Sequence, residues 1–357
     1  MVRKRLPWVL LLALLVVLAA WQSRRLADHR RAGMPEAYTG YTSDVPPALN
    51  FVMVGLGGFR GIVSEVLWFR VNRLQEEGRY LELVQLADWL TMLDPHAAEA
   101  WTYNAWNLAY NISVMMARDE DRLRWVHNGI ALLRDEGLRF NPREAQLFRE
   151  LAWLYQNKIG DVLDNAHLAY KLDLAQTMSP LVRADGTVDA TPANRPRFDA
   201  LRLDPDRMLA LERRFGPLDW RVAESHAIYW ASQGLEFATG TERLMCRRGV
   251  YQPLILSVVR GRFTGDLAGK RWQTGPNTAL ALATADFLAE TVRDFSSKNT
   301  SAVYLRFLSM AVAQLAKEGQ ADHARTLHGR LLAALPPVSP KPSFEEVVKG
   351  WEPPDEI

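Results

Sequence analysis

The chain has 357 residues, of which 48% are hydrophobic and 24% are charged, a composition typical of globular proteins. The formal net charge is only +2, which argues against general binding of polyanions. The single cysteine, Cys246, excludes an intramolecular disulfide, and neither a CxxC motif nor a cluster of metal ligands occurs in the sequence. We therefore expect no nucleic-acid partner, no metal site and no cofactor.

An uncharged segment rich in leucine and valine occupies residues 6–21, between basic flanks. A membrane-spanning helix needs about 20 apolar residues, so this segment is short but workable when flanking arginines extend to the interface. We expect residues 1–32 to be a single-pass anchor in the cytoplasmic (inner) membrane, with the body on the periplasmic or extracytoplasmic side. A signal peptide cleaved after Ala19 or Ala20 is the alternative. Because the two flanks carry similar charge, the orientation is taken from the usual behaviour of a short N-terminal span and not from the charge difference.

Residues 33–60 contain several glycines and prolines, which predict a tether followed by a glycine-rich lead-in segment. The run from Gly55 to Gly61 precedes a helix and invites comparison with a nucleotide-binding loop. However, Arg60 occupies the third glycine position of G-x-G-x-x-G, and no G-K-S/T follows. We therefore interpret this run as a bend before the first helix.

Glycine and proline recur at one spacing. Gly78 is followed by Pro95, and Gly319 by Pro336, in both cases after 17 residues. This spacing is typical of a turn glycine between two antiparallel helices and a proline that closes the pair. Around Gly78, apolar stripes predict one helix on each side. The residues of these stripes are Val63, Val66, Leu67, Val71 and Leu74, then Leu83, Leu86, Ala87, Leu90 and Leu93.

Pro142 follows Pro95 by 47 residues and closes a second helical unit that begins at about Ala98, and a third unit starts at Arg143. This distance between the prolines exceeds a 34-residue repeat by thirteen residues. We assign this surplus to residues 113–122, where the charged run 118–121 predicts a solvated loop. Small or aromatic residues that suit close helix packing recur through the helix pairs. The predicted repeat positions are Gly78, Tyr80, Pro95, Ala105, Pro142, Leu151, Ala152, Tyr155, Gly319, Ala324 and Pro336.

With these residues, the chain resembles the tetratricopeptide repeat (TPR) superfamily over residues 61–175, and again over 216–336. It is also similar to uncharacterised membrane-anchored bacterial TPR proteins in phrases such as LVQLADWLTMLDP (83–95) and LLRDEGLRFNP (132–142). It departs from the family pattern in its long second repeat and in alanines at the usual glycine positions. The resemblance implies an all-α solenoid of stacked helix pairs that binds other proteins, and it implies no reaction.

Beyond the repeats at 61–175 we expect an irregular linker at 176–215, which is rich in proline. A second helical, TPR-like region is predicted at 216–335, with helices at about 242–260, 277–295 and 301–335. Residues 336–357 predict an exposed proline-rich tail without periodicity.

One helix carries an aromatic cluster, in which Tyr103, Trp106 and Tyr110 share a face. The resemblance implies that the first helix of a pair lines the concave groove of a solenoid. These three rings would then contact a protein or peptide, and Asn104, Asn107 and Asn111 would supply hydrogen bonds. The alternative is that the rings pack against the inserted segment or the next repeat.

No catalytic motif emerges from the sequence: G-x-S-x-G is absent, and His323 and His328 diverge because they are five residues apart. Cys246 is either a reactive thiol activated by the two arginines that follow it or a core residue. We expect a non-catalytic, membrane-anchored scaffold in a bacterial envelope assembly. The alternatives are a small-molecule or glycan binder that uses the aromatic groove, and an enzyme subunit on the helices of 216–335, which would bury clustered polar residues.

Overall fold

A computed structural model describes residues 60–267, 271–337 and 339–351, together with Val17, Leu18, Trp21, Gln22 and Arg25. The described residues of the predicted anchor are helical and exposed. Within the described part of the chain, no helix combines the length and the apolar character that a membrane span requires. The rest of the predicted anchor, and the tether up to residue 59, lie outside the described residues.

The chain forms two compact units, and the boundary between them follows Asn107. In the first unit, helix α1 (Arg60–Glu76) pairs with α2 (Tyr80–Leu93), and α3 (Ala98–Trp106) packs on α2. Gly78 joins the first two helices with φ 69°, a conformation that glycine adopts without steric cost. The buried core of this unit comprises Val71, Leu74, Leu83, Ala87, Leu90 and Ala100.

The second unit is also mostly helical. Its longer helices are α4 (Asp119–Ala131), α5 (Ala145–Trp153), α6 (His167–Met178), α7 (Arg195–Ala200), α8 (Pro205–Phe215), α9 (Ala223–Phe237), α10 (Gly240–Arg260), α11 (Ala281–Asp294), α12 (Lys298–Lys317), α13 (Ala321–Ala334) and α14 (Phe344–Lys349). Short α-helical turns are Ser113–Met115 and Leu138–Phe140, and 3-10 turns are Ser179–Leu181 and Thr278–Leu280. Helix α9 packs against both α5 and α10, so it lies at the centre of this unit.

Among the described residues, three π-helical segments continue from α-helices: Asn107–Ile112 after α3, Leu132–Gly137 after α4, and Leu154–Ile159 after α5. The first and third begin 47 residues apart, the same distance that separates Pro95 from Pro142. Most of the segment 113–122, to which the surplus was assigned, is helical, because helix covers residues 113–115 and 119–122. The prediction of a solvated loop at 118–121 is wrong, because Asp119 begins α4, and acidic side chains in a first turn interact favourably with the helix dipole.

The predominance of helices confirms the all-α prediction in its coarse form, but a short antiparallel hairpin departs from it. Strands β1 (Arg262–Asp266) and β2 (Arg271–Gly275) pair with Phe263 opposite Thr274. Phe263 is buried and its ring stacks on that of Trp272, with centroids 5.3 Å apart. This aromatic pair fixes the hairpin by burying one of its faces.

Two segments that were expected to be irregular contain helices. Within 176–215 lie α7 and α8, and the Asp204 side chain caps α8 by accepting a hydrogen bond of 2.9 Å from the backbone N–H of Asp206. Within the predicted tail lies α14, where Ser343 and Glu346 form a capping box. These three helices have 6, 11 and 6 residues, so the residues at their ends indicated them better than their apolar periodicity did.

Several predicted repeat positions lie at helix ends or in the interior of their own unit. Gly319 separates α12 from α13 with φ 74°, and the next residue donates from its backbone N–H to the carbonyl of Leu315, at 2.8 Å. Pro95 and Pro142 follow the ends of helical segments, and Pro336 follows α13. The buried repeat positions are Ala105, Leu151, Ala152, Tyr155 and Ala324, whereas Tyr80 is partly buried.

Candidate functional site

Two of the predicted partner-binding residues in the first unit take part in its packing. The Tyr103 ring meets that of Trp68 edge to face, with centroids 5.5 Å apart, and its hydroxyl donates a hydrogen bond of 2.5 Å to Gln75. Asn104 is fully buried, and its amide donates to Asp88 at 2.7 Å. Both side chains therefore hold α3 to the first helix pair.

The remaining predicted contacts differ in exposure. Asn107 is buried and donates to the backbone carbonyl of Tyr103 at 3.1 Å, whereas Trp106 is 41% exposed. In the second unit, Tyr110 and Asn111 are partly buried. Trp106 is thus the most exposed of the six residues, and their role in binding a partner stays a prediction.

Helix α1 carries an exposed apolar stripe, defined by Ile62, Val66 and Phe69, which are 60%, 61% and 70% exposed. The spacing of four and three residues places the stripe on one face of the helix. The opposite face buries Val71 and Leu74 against α2. Val66 was predicted to share one apolar stripe with Val71 and Leu74, and the structure instead places it on the outer face. Helix α1 is therefore apolar on two sides, only one of which is covered within the described residues of its unit.

A charged cluster is buried in the second unit. The Lys158 ammonium donates to Asp164 at 2.5 Å, and both side chains are almost fully buried. Arg122, Tyr170 and the backbone N–H of Ala166 also donate to the Asp164 carboxylate, at 2.9–3.0 Å. Burial by itself would raise the pKa of Asp164, but these donors outweigh it and lower the pKa to about 2.

Aromatic rings enclose the ammonium group of this cluster. The Lys158 Nζ atom lies 5.2 Å from the ring centroid of Tyr110 and 5.6 Å from that of Tyr170. Burial lowers the pKa of Lys158, and the adjacent carboxylate opposes this effect. Tyr110, one of the predicted partner-binding residues, forms part of this internal cage, where cation–π contact favours the charged lysine.

A cavity of about 300 Å³ lies in the second unit, among α4, α6, α9 and two of the π-helical segments. Its lining is mainly apolar or aromatic, as is usual for small-molecule sites, and includes Ile159, Leu174, Met178, Leu203, Tyr155 and His226. The two charged groups Arg134 and Asp173 also line it. Arg134 pairs with Asp135 at 2.7 Å, and Asp173 with His127 at 3.1 Å, so each has a charged or titratable partner.

His226 is the most deeply placed polar side chain of this cavity, being only 1% exposed. Its Nε2 lies 2.9 Å from the backbone carbonyl of Trp220, which can only accept, so this nitrogen carries the hydrogen. Among the described residues, Nδ1 has no hydrogen-bond partner. Burial lowers the pKa of His226 to about 4, so the ring is neutral near pH 7 and Nδ1 is an acceptor. Tyr155 stacks on the ring, with centroids 5.0 Å apart.

The region after residue 215 buries several charged side chains, and clustered polar residues are what the enzyme-subunit alternative requires. Asp219 is 1% exposed and accepts hydrogen bonds from Arg221 and from the backbone N–H of Phe263. Glu224 is likewise buried and accepts from Arg260 at 2.9 Å. Because these groups satisfy one another, their arrangement is that of structural ion pairs. Burial raises the pKa of the Cys246 thiol to about 12, so this residue is a protonated core side chain.

Known proteins offer no assignment for these features, because no family model, no curated protein and no solved structure matches the chain. The cavity residues were not predicted from the sequence, apart from Tyr155 as a repeat position. His226 is a single histidine on a predicted helix, and a single histidine does not indicate a cavity. The second and third π-helical segments bring Arg134, Tyr155 and Ile159 to the cavity, and they leave no recognisable motif in the sequence.

Proposed function

We propose that this chain is a non-catalytic scaffold of TPR-like helix pairs that binds a protein partner through its first unit. It would be held at the cytoplasmic membrane by residues 1–32, with the body on the periplasmic or extracytoplasmic side, and would serve a bacterial envelope assembly. The resemblance to TPR proteins and the composition of the N-terminal segment support this proposal, and the apolar stripe of α1 carries it.

The stripe supports partner binding because contiguous apolar surface on a helix is normally covered. Burying a valine, isoleucine or phenylalanine side chain contributes about 1.5–3 kcal/mol. A partner that covered Ile62, Val66 and Phe69 would therefore gain several kcal/mol before the costs of association. Trp106 adds an exposed aromatic side chain to the same unit, and tryptophan is enriched among residues that dominate binding energy.

Cross-linking in the native membrane, followed by affinity purification and mass spectrometry, tests this proposal. We expect a reproducible, near-stoichiometric partner with the unaltered chain. Phe69→Ser should reduce its recovery at least tenfold, because an anchor side chain is worth about 2 kcal/mol or more. The thermal stability of the protein should hardly change, since Phe69 is exposed.

Trp106→Ala and Trp153→Ala form a matched pair. The two tryptophans lie 47 residues apart in the sequence, are 41% and 45% exposed, and belong to different units. Loss of the partner with Trp106→Ala but not with Trp153→Ala would support binding by the first unit. Recovery of the chain alone, or equal recovery for Phe69→Ser and the unaltered chain, would refute the proposal.

A further inference from the structure

The cavity of the second unit has properties that the scaffold function does not use. We propose that it is a binding site for a small, uncharged, mainly apolar molecule that carries one hydrogen-bond donor, a hydroxyl or N–H group, for Nδ1 of His226. The site lies within one unit, so it does not depend on the protein-binding surface of α1.

Size and lining define the body of the ligand. A volume of about 300 Å³ is at the lower end of the range for small-molecule pockets, about 300–1,000 Å³. Leu174, Met178 and Leu203 are buried and present apolar atoms, while Tyr155 and His226 present stacked rings. Such walls favour an aliphatic or aromatic molecule over a sugar or a peptide, which would bring polar groups that these walls cannot satisfy.

The charged side chains that line the cavity already have partners within the protein, so the ligand does not have to carry a charge. The Arg134 guanidinium donates two hydrogen bonds to Asp135, at 2.7 and 2.8 Å, and His127 and Asp173 face each other near the surface. The hydroxyl of Tyr170, another lining residue, is engaged by Asp164. A ligand charge would therefore have to displace an existing partner, whereas an uncharged molecule would leave these pairs intact.

The orphaned nitrogen of His226 defines the polar group of the ligand. A buried acceptor without a donor is costly, and the great majority of such groups in proteins have partners. Because Nε2–H is committed to the carbonyl of Trp220, Nδ1 keeps a lone pair and cannot donate; its accessible surface is below 1 Å², so a ligand donor reaches it only when the side chains that cover it move aside. The complementary ligand group is therefore a hydroxyl or an N–H, and a carbonyl or ether at the same place would repel it.

The π-helical segments indicate that the cavity is a specific feature of the backbone. Arg134 belongs to the segment Leu132–Gly137, whereas Tyr155 and Ile159 belong to Leu154–Ile159. A π-helical turn inserts a residue into an α-helix at a cost in hydrogen-bond geometry, and such turns are frequent at functional sites. Two such turns converge on one cavity here, which is expected when a void is maintained for an occupant.

Indole and indene test the proposal, because they share a shape but only indole carries an N–H. Each is titrated into the full-length purified protein by isothermal calorimetry, against a blank with the same detergent. We expect indole to bind at least fivefold more tightly than indene, and we expect the preference to disappear in His226→Phe. Histidine labelled with ¹⁵N gives a second measurement on the unaltered protein, in which indole should shift the Nδ1 resonance of His226 and indene should not.

Thr177 and Gln176 supply a matched pair for the location of the site. Both are exposed neighbours on α6, but only Thr177 is among the cavity-lining residues. Thr177→Trp should weaken indole binding at least fivefold, because the larger side chain occupies the cavity, whereas Gln176→Trp should bind as the unaltered chain does. Equal binding by the two variants, equal affinities for indole and indene, or an unmoved Nδ1 resonance would each overturn the proposal.

Discussion

The buried charged cluster around Asp164 predicts that its members contribute very unequally to stability. Two cations, Lys158 and Arg122, donate to one carboxylate. Asp164→Asn removes the compensating charge and leaves an ammonium and a guanidinium close together. Lys158→Met replaces the ammonium with an apolar side chain of similar length, and the carboxylate keeps Arg122 and Tyr170 as donors.

The burial of each group sets the expected magnitudes. The Lys158 and Asp164 side chains are 2% and 3% exposed, whereas Arg122 is 19% exposed and can reach water. Removing one partner of a buried pair costs about 3–5 kcal/mol when the other charge is left uncompensated, and we expect this loss for Asp164→Asn. Replacing a buried cation by an apolar group is often nearly neutral when the remaining charge is still paired, so Lys158→Met should change the unfolding free energy by about 1 kcal/mol or less.

Urea unfolding of the purified variants, followed by tryptophan fluorescence and circular dichroism, measures both free energies. Asp161→Asn is the control, because Asp161 also precedes α6 but is more exposed than Asp164. Its side chain accepts a hydrogen bond from the backbone N–H of the next residue. Its change should stay within about 1 kcal/mol. A loss for Lys158→Met as large as that for Asp164→Asn would show that the lysine is essential to the cluster, contrary to this reasoning.

Acid adds an independent check, because the pKa of Asp164 is lowered to about 2 from 3.8. A depressed carboxylate pKa stabilises the folded state at pH values above 3.8, and the contribution is lost as the pH falls towards 2. The shift corresponds to about 2 kcal/mol, and Asp164→Asn should remove this part of the acid dependence. An unchanged acid profile in the variant would contradict the assigned pKa direction.

Three further perturbations have expected outcomes. The pKa of His226 is about 4 in the folded chain and 6.5 ordinarily, so the free energy of unfolding should fall by about 3 kcal/mol as the pH drops from 6.5 to 4. In His226→Gln, the midpoint of urea unfolding should depend less on pH in this range. Gly186→Ala should cost about 3 kcal/mol or more in unfolding free energy, because Gly186 has φ 86° and an added Cβ would lie 2.3 Å from the carboxylate of Asp219. Ser297→Ala should cost about 1 kcal/mol by thermal melting, since it removes the N-cap of α12, whereas Ser301→Ala should be nearly neutral.

Helix content could be predicted because its signals are local. Gly78 with Pro95, and Gly319 with Pro336, punctuate the chain at positions where φ turns positive or a helix ends, and these constraints depend on a few neighbouring residues. The hairpin was missed because its strands are short and only Phe263 is buried in β1, which leaves little alternation to detect. Val66 was assigned to the wrong face of α1, because an apolar stripe shows which residues are hydrophobic but not whether a second helix covers them.

The cavity escaped prediction for a different reason. Its walls come from residues 127–134, 155–178, 201–203 and His226, and a void arises from how such distant segments fail to fill the space between them. Sequence periodicity describes which face of a helix is apolar, but it assumes a constant helical register. A π-helical turn changes that register, so Tyr155 and Ile159 need not point where an unbroken helix would place them. Such a turn occurs after α3 and again after α5, at a distance of 47 residues, so the same change of backbone register recurs where the side-chain pattern alone does not indicate it.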